Sequence, residues 1–405
     1  MNQPPNLPAL PLSGVTVVAL EHAIAAPFAT RQLADLGARV IKIEREGGGD
    51  FARGYDAHVN GQSGFFVWVN RGKESLQLDI KTDAGQEVLR RLIARADVLV
   101  QNLSPGAARK LGCDFERLHA LHPRLIVCDI SGYGEGGPYS QKKAYDLLIQ
   151  AATGLISVTG TPEQPARVGI SIADIAAGMY AYTGILSALL QRHQTGEGAH
   201  VEVSMFEALT EWMSFPVYAH HYSGRQPLRS GMAHAAITPY GQYAVGDGEK
   251  IVFGLQNERE WEAFCRLVVE EPGWVADARF ASNIARVQHR EELTGLIEEK
   301  FSRCSLDALV PRLERAGIAN APLNTPEDVW NHPQLAARNR WRSVQTPAGA
   351  IGALLPPATV SGFEAAMGDV PGCGAHTAAI LAELGLGEPS LQHEVAPQCS
   401  AAGLG

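Results

Sequence analysis

Residues 14–43 read GVTVVALEHAIAAPFATRQLADLGARVIKI. Residues 14–20 are a continuous apolar run of strand length, 27–36 carry helical spacing, and 39–43 form a second apolar run. Strands that are apolar on both faces and joined by a helical crossover belong to a parallel sheet covered by helices. The pattern continues with a strand at 75–80, an amphipathic helix at 82–95, and strands at 98–101 and 124–130. The spacing therefore predicts an α/β fold with a doubly wound parallel sheet. Ligands of such sheets bind beyond the carboxyl ends of the strands, so the residues that follow each strand are candidates for a site.

Those residues are Glu21-His22, then Glu44-Arg45 with Gly47-Gly48-Gly49, then Asn102-Leu103-Ser104-Pro105-Gly106, and finally Ser131-Gly132-Tyr133-Gly134. None forms a P-loop, and GYGEGG at 132–137 lacks the strand–turn–helix setting of a dinucleotide fingerprint, which leaves ATP and NAD weakly supported. The basic residues Arg45, Arg71, Lys73, Lys110, Lys142 and Lys143 fall on successive loops. They either converge on a polyphosphate or are separate solvated charges.

A second stretch, 165–207, reads PARVGISIADIAAGMYAYTGILSALLQRHQTGEGAHVEVSMFE. Asp174 opens a long apolar helix on which Ala177, Ala181, Gly184 and Ala188 recur at helical spacing, a face small enough for another backbone to approach. Gly196 and Gly198 end the helix, and His200–Ser204 alternates as a strand. An Asp at a helix start is either a cap for the free amides of the first turn or a carboxylate stabilised there for nucleophilic work. Spacing does not choose between the two.

With 405 residues the chain exceeds one comfortable core. We expect a large domain at 1–221, a small α+β domain at 222–331, a return segment at 332–387 that completes the large domain, and a frayed tail at 388–405. The small domain is marked by an alternating hairpin around Gly246-Asp247-Gly248 and helical segments at 258–269, 290–301 and 305–316. Beyond Pro333 the chain reads as loop, with one more helix at 375–384. The cysteines at 113, 128, 265, 304, 373 and 399 are scattered singly, and His220-His221 point apart on any regular element, so neither zinc nor a disulfide framework is expected. The net charge of -9 disfavours nucleic acid. No leader is legible and no apolar run reaches the roughly 20 residues of a membrane span, which implies a cytoplasmic protein.

Several motifs then stand in order: Ala25-Ala26-Pro27, LADLGARVIKIE at 33–44, KESLQLD at 73–79, ADVLVQN at 96–102 with Pro105-Gly106, SGYG at 131–134, AYD at 144–146, ADIAAG at 173–178 and TGEG at 195–198. Together they resemble the class III CoA-transferases of the CaiB/BaiF type, the family of formyl-CoA transferase, carnitine CoA-transferase and α-methylacyl-CoA racemase, over 12–387. The resemblance implies a homodimer of interlocked chains, each with a Rossmann-like large domain built from both chain ends and a small domain between. It implies Asp174 as the nucleophile that carries CoA as a thioester, and no permanently bound cofactor, with a coenzyme A thioester as substrate. By motif, His22, Ala25, Arg45, Leu78, Lys81, Asn102, Leu103, Ser104, Lys110, Lys142, Lys143 and Tyr145 match the CoA contacts. Lys110 stands where formyl-CoA transferase has an arginine, keeping charge without the bidentate fork.

Departures narrow the function. The racemases use a His and a Glu where this chain has Tyr145 and Asn257, so racemisation is a second reading, followed by a non-catalytic CoA-binding protein. Ile24 replaces a glutamine of formyl-CoA transferase, and the glycine run of that enzyme is absent from 229–236, so an oxalate-specific activity is not expected. Family breadth implies exchange of CoA among small dicarboxylates such as succinate, itaconate, malate or citramalate. Arg167, Arg225 and Arg229 are then the candidate clamps for a distal carboxylate.

Overall fold

The computed structural model describes residues 9–246 and 248–386; Cys399 and the expected tail at 388–405 lie outside the described residues. The chain divides into two compact units, one of Met1–Thr153, Gly169–Trp212 and Asn339–Gly405, the other of Gly154–Val168 and Met213–Arg338. These bounds differ from the 222–331 and 332–387 read from sequence. The second unit starts earlier and also takes in a short excursion just before the long helix.

The first unit is built on six parallel strands: β1 (Thr16–Leu20), β2 (Arg39–Glu44), β3 (Lys73–Gln77), β4 (Val98–Gln101), β5 (Ile126–Ser131) and β6 (His200–Ser204). Their order is β3-β2-β1-β4-β5-β6, so the direction of winding reverses between β1 and β4. The helices are α1 (Ala25–Asp35), α2 (Gly64–Asn70), α3 (Asp83–Ile93), α4 (Ala107–Lys110), α5 (Phe115–Leu121) and α6 (Asp146–Ala152); α7 (Leu155–Val158) belongs to the second unit, and α8 (Ile172–Thr195) and α9 (Met205–Trp212) complete the series.

One face of the sheet presents Val18, Leu20, Ile41, Ile43, Leu76, Leu99 and Val127 to Val88, Leu89 and Leu92 of α3. Each of these buried side chains contributes about 1.5–3 kcal/mol. Ile380, Leu381 and Leu384 complete that core, which ties the end of the chain to its beginning. Edge strand β3 is covered by the same return: Ser75 N donates to His376 Nδ1, Gln77 N donates to Thr377 Oγ1, and Arg39 bridges Glu74 and Glu383.

Two expectations are corrected. Residues after 333, read as loop, contain a hairpin of β10 (Trp341–Thr346) and β11 (Gly349–Leu354), which follow β7 (Tyr240–Ala244), β8 (Lys250–Gly254) and β9 (Ala319–Pro322) of the second unit. Its alternation is diluted by glycine and alanine, and only Val344 is fully enclosed. Helix α8 is, by length and composition alone, apolar enough to cross a membrane, although no such run was expected. Its buried residues Ala173, Ala176, Ala177, Gly178, Ala181, Ile185 and Ala188 make one core-facing stripe instead.

Helix α8 packs on α1, and at Gly178 the two backbones come close together. A Cβ there would lie 2.7 Å from the Ala25 carbonyl oxygen and 3.0 Å from Phe28 Cδ1, so backbone and not a flexible side chain blocks it. The small-residue face named in the sequence omitted this position; Gly184 instead meets Val201, with 2.7 Å between an added Cβ and its Cγ1. In an open helix Gly→Ala stabilises by about 1 kcal/mol. Here we expect Gly178→Ala to destabilise and Gly178→Val to cost about 1–3 kcal/mol or more through overpacking, read by urea denaturation.

Candidate active site

A cleft of about 1180 Å³ opens at the carboxyl ends of β1, β4 and β5, where the winding reverses. Its walls are the loops His22–Ala25, Gln101–Arg109 and Ser131–Gly136, the start of α6, and the first turn of α8, with Phe51, Tyr55 and Phe65 closing one side. All belong to the first unit. The β1 and β4 loops are joined by Asn102, whose Oδ1 accepts from His22 N at 3.0 Å while its Nδ2 donates to His22 O at 2.9 Å. His22 packs on Phe51 with ring centroids 4.8 Å apart, and burial pushes its pKa below the ordinary value, which favours the neutral ring at pH 7.

Asp174 lies half-buried in the wall, at the third position of α8 after Ser171. It is therefore not the cap. Asp146 caps the helix from α6, its Oδ1 accepting from Ala173 N at 2.7 Å while Oδ2 accepts from Gln150 Nε2 at 2.7 Å. Burial, and then the neighbouring Asp146 charge, raise the Asp174 pKa to about 7. The expected stabilisation of its anion by the helix start is outweighed. Tyr55, whose own pKa is raised by burial and by the charges of Asp50 and Asp174, and Tyr145 lie on the same cleft.

Of the CoA contacts expected by motif, His22, Ala25, Asn102, Leu103, Ser104, Lys142, Lys143 and Tyr145 line this cleft. Lys142 sits over the rings of Tyr139 and Tyr133, 4.6 and 5.6 Å from their centroids. Arg45, Leu78, Lys81 and Lys110 are not lining residues. Arg45 Nε donates to Gly49 O and braces its own turn, and the Leu78 side chain is enclosed in the core with 1% exposure. Lys81 and Lys110 are exposed, and the neighbouring Arg109 lines the cleft in place of Lys110.

The six-member basic set does not converge. Arg71 is buried against Asp35, at 2.7 Å, and Lys73 against Glu21, at 2.6 Å. Neither the solvated nor the phosphate-binding reading describes them; both are structural ions. The three candidate clamps belong to the second unit. Arg229 donates to the carbonyls of Thr161 and Pro162, Arg167 reaches the Val168 carbonyl, and Arg225 is exposed. Asn257, where racemases use an acid, caps the helix Glu258–Ala263.

Missed in the sequence were Asp146, Arg109 and Tyr55. The signal for Asp146 was present, as the acid that ends the AYD motif just where a helix begins. A further wall group, His200, donates from Nε2 to Asp129 Oδ2 at 2.7 Å, and this contact holds its pKa above the ordinary value. Asp129 Oδ1 accepts from Gln101 Nε2, and Gln101 Oε1 accepts from the Leu103 amide, so the β4 loop is held from the sheet outward.

The raised pKa of Asp174 has a signed effect on stability. Unfolded, the carboxyl titrates near 3.8; folded, near 7. Between these values the folded chain holds a proton that the unfolded chain has released, so stability falls as pH rises through the window, by at most about 4 kcal/mol. We expect Asp174→Asn to raise the melting temperature at pH 8 and to lose that advantage as pH approaches 4, measured by calorimetry.

The CoA-transferase family III model matches residues 12–377. The acetyl-CoA:oxalate CoA-transferase of Acetobacter aceti is 35% identical over 364 residues, covering 89% of this chain and 92% of that protein. The succinate–glutarate CoA-transferase of Agrobacterium fabrum is 33% identical over 350 residues, covering 84% and 87%. A crystal structure of a CAIB/BAIF family protein from Brucella suis superposes with a TM-score of 0.82 at 35% identity, covering 93% of this chain and 100% of that one. The chain belongs to CoA-transferase family III and is a CoA-transferase.

Proposed function

We propose that this enzyme exchanges CoA between small dicarboxylic acids through a thioester formed on Asp174. The observation that carries the reading is the position of Asp174: a carboxyl in the wall of the switch-point cleft, on the same cleft as the loops matched to CoA, with no cation lowering its pKa. An Oδ of the ionised side chain attacks the acyl-CoA carbonyl, the carbon–sulfur bond breaks, and an acyl-aspartyl anhydride and CoA thiolate form. The thiolate attacks the Asp174 acyl carbon and releases the first acid as its carboxylate, leaving the aspartyl-CoA thioester. A second carboxylate runs the two steps in reverse on its own acyl carbon. No net proton is taken up, and the thioester energy is never released to water.

The amides of Ile24 and Ala25, and those of Gly132, Glu135 and Gly136 in the glycine-rich loop, are the candidate donors to the oxyanions, since His22, Ala23 and Gly134 already donate to Asn102, Asp50 and Ser131. CoA is substrate and not a resident cofactor. Lys142, Lys143 and Arg109 supply the positive charge on the cleft wall for its phosphates. The homodimer implied by the resemblance belongs to the same proposal. The second unit carries exposed Phe215, Tyr218, Tyr222 and Leu228, apolar surface of the kind that a second copy would cover.

Succinyl-CoA incubated with itaconate, malate, citramalate, glutarate and oxalate, followed by mass spectrometry, tests the reading. Oxalate is included because of the relative named for it, against the expectation from Ile24. We expect a new CoA thioester with at least one dicarboxylate, lost at least about a thousandfold in Asp174→Ala while CoA binding stays within a few-fold. Turnover retained in that variant refutes the covalent role. Because only the ionised carboxyl attacks, kcat/KM should rise with pH through about 7 and level off above it. Asp146→Asn should move that inflection to lower pH, since the like charge is gone.

A further inference from the structure

The cleft wall at His22–Ala25 is held by charges that never meet solvent. Ala23 has φ of 59°, in the left-handed region that disfavours an alanine by about 1–2 kcal/mol. Its amide donates to Asp50 Oδ1 at 3.1 Å, and the same oxygen accepts from Ala52 N at 2.9 Å. The other oxygen, Oδ2, takes the Lys42 ammonium at 2.8 Å, and neither side chain has any exposed surface. We infer that Asp50, fixed by Lys42, is a positioning residue that holds Ala23 in its left-handed turn and so presents the backbone of His22–Ala25 to the CoA thioester.

The chemistry of the pin is asymmetric. A carboxylate has two equivalent oxygens and can serve the ammonium and the two amides at once. An asparagine of the same size has one. Buried Lys42 would claim that oxygen because a charged donor binds it more strongly, and the amide's own NH₂ would then face the Ala23 N–H. Asp50→Asn therefore releases the turn without opening a cavity. Glu21 remains as a second partner for Lys42, at 3.4 Å.

The inference rests on the proposed function in taking His22–Ala25 as a wall that CoA touches, so the test reads CoA binding by calorimetry as well as exchange. We expect Asp50→Asn to weaken CoA binding and slow exchange by about tenfold each, the factor that releasing a left-handed alanine carries. Adding Ala23→Gly should restore both to within about threefold, because glycine adopts the turn without the pin. Ala23→Val, which leaves every buried charge in place, should reproduce the loss and keeps the test decisive where Asp50→Asn fails to fold. Wild-type CoA affinity in Asp50→Asn or Ala23→Val, or a double variant that recovers nothing, overturns the inference. A wild-type chain that binds CoA and exchanges no acid refutes the proposed function instead, and the binding measurements still decide the role of Asp50.

Discussion

Glu21, Lys42, Asp50 and Lys73 have side chains with no exposed surface, and they sit together where β1 and β2 end and where β3 begins. Taking such ions out of water costs several kcal/mol apiece, and hydrophobic replacements of equal volume often do as well or better for stability. Geometry is what the ions supply. Glu21 binds Lys73 at 2.6 Å and Thr30 Oγ1 at 2.6 Å, while Lys73 also donates to the Pro27 carbonyl and to Asn70 Oδ1. The first turn of α1 is thereby fixed to the sheet from below. Burial opposes both charges; it pushes the Lys73 pKa down, whereas two lysines keep Glu21 below the usual carboxylate range despite it. Each of these ions has a buried partner of opposite charge, and the pairs tie together the segments from which the cleft loops leave the sheet.

Helix α8 lies close to this region because Gly178 carries no side chain. Gly178 meets the Ala25 carbonyl, so the turn of α8 that follows Asp174 is seated on the α1 turn that the buried ions hold. One position toward the amino terminus of Asp174, Ala173 is capped by Asp146, and that contact fixes where the first turn of α8 begins. A carboxyl on a helix placed by backbone contact on one side and a hydrogen-bonded cap on the other has little room to wander. Precise placement of this kind is what the proposed sequence of two attacks at one carboxyl carbon demands.

The sheet was legible because its strands are apolar on both faces and its punctuation is strong. β4 and β6 fall on their expected residues, and Gly196 ends α8 in the left-handed conformation. Less legible were features that depend on contacts between distant segments. Nothing local marks Lys73 or Arg71 as buried ions rather than surface charge; their partners are 52 and 36 residues away. Leu78 looked like a contact by motif, and its side chain proved to be core. A close backbone approach to α8 was expected from its small residues with no partner named, yet which of them touches backbone is fixed by the rotation of the helix, and the spacing missed Gly178. The hairpin at 341–354 escaped because its strands bury almost nothing.

The surroundings of Asp174 also account for what is missing from them. An arginine beside it would lower its pKa and keep it ionised, but would tie up the lone pairs that attack in the proposed mechanism and would weaken it as a nucleophile. Deeper burial would sharpen the anion and exclude water from an anhydride, while raising the pKa until little anion remained at neutral pH. A value of about 7 lies between these limits, with roughly half the carboxyl ionised at pH 7. Asp146 thus acts twice, ordering the helix start by accepting the Ala173 amide and, through its charge, adding to the burial that raises the Asp174 pKa. In the proposed mechanism an anion poised there, poorly solvated and with no salt-bridge partner among the described residues, is a stronger nucleophile toward a thioester than one held by a salt bridge.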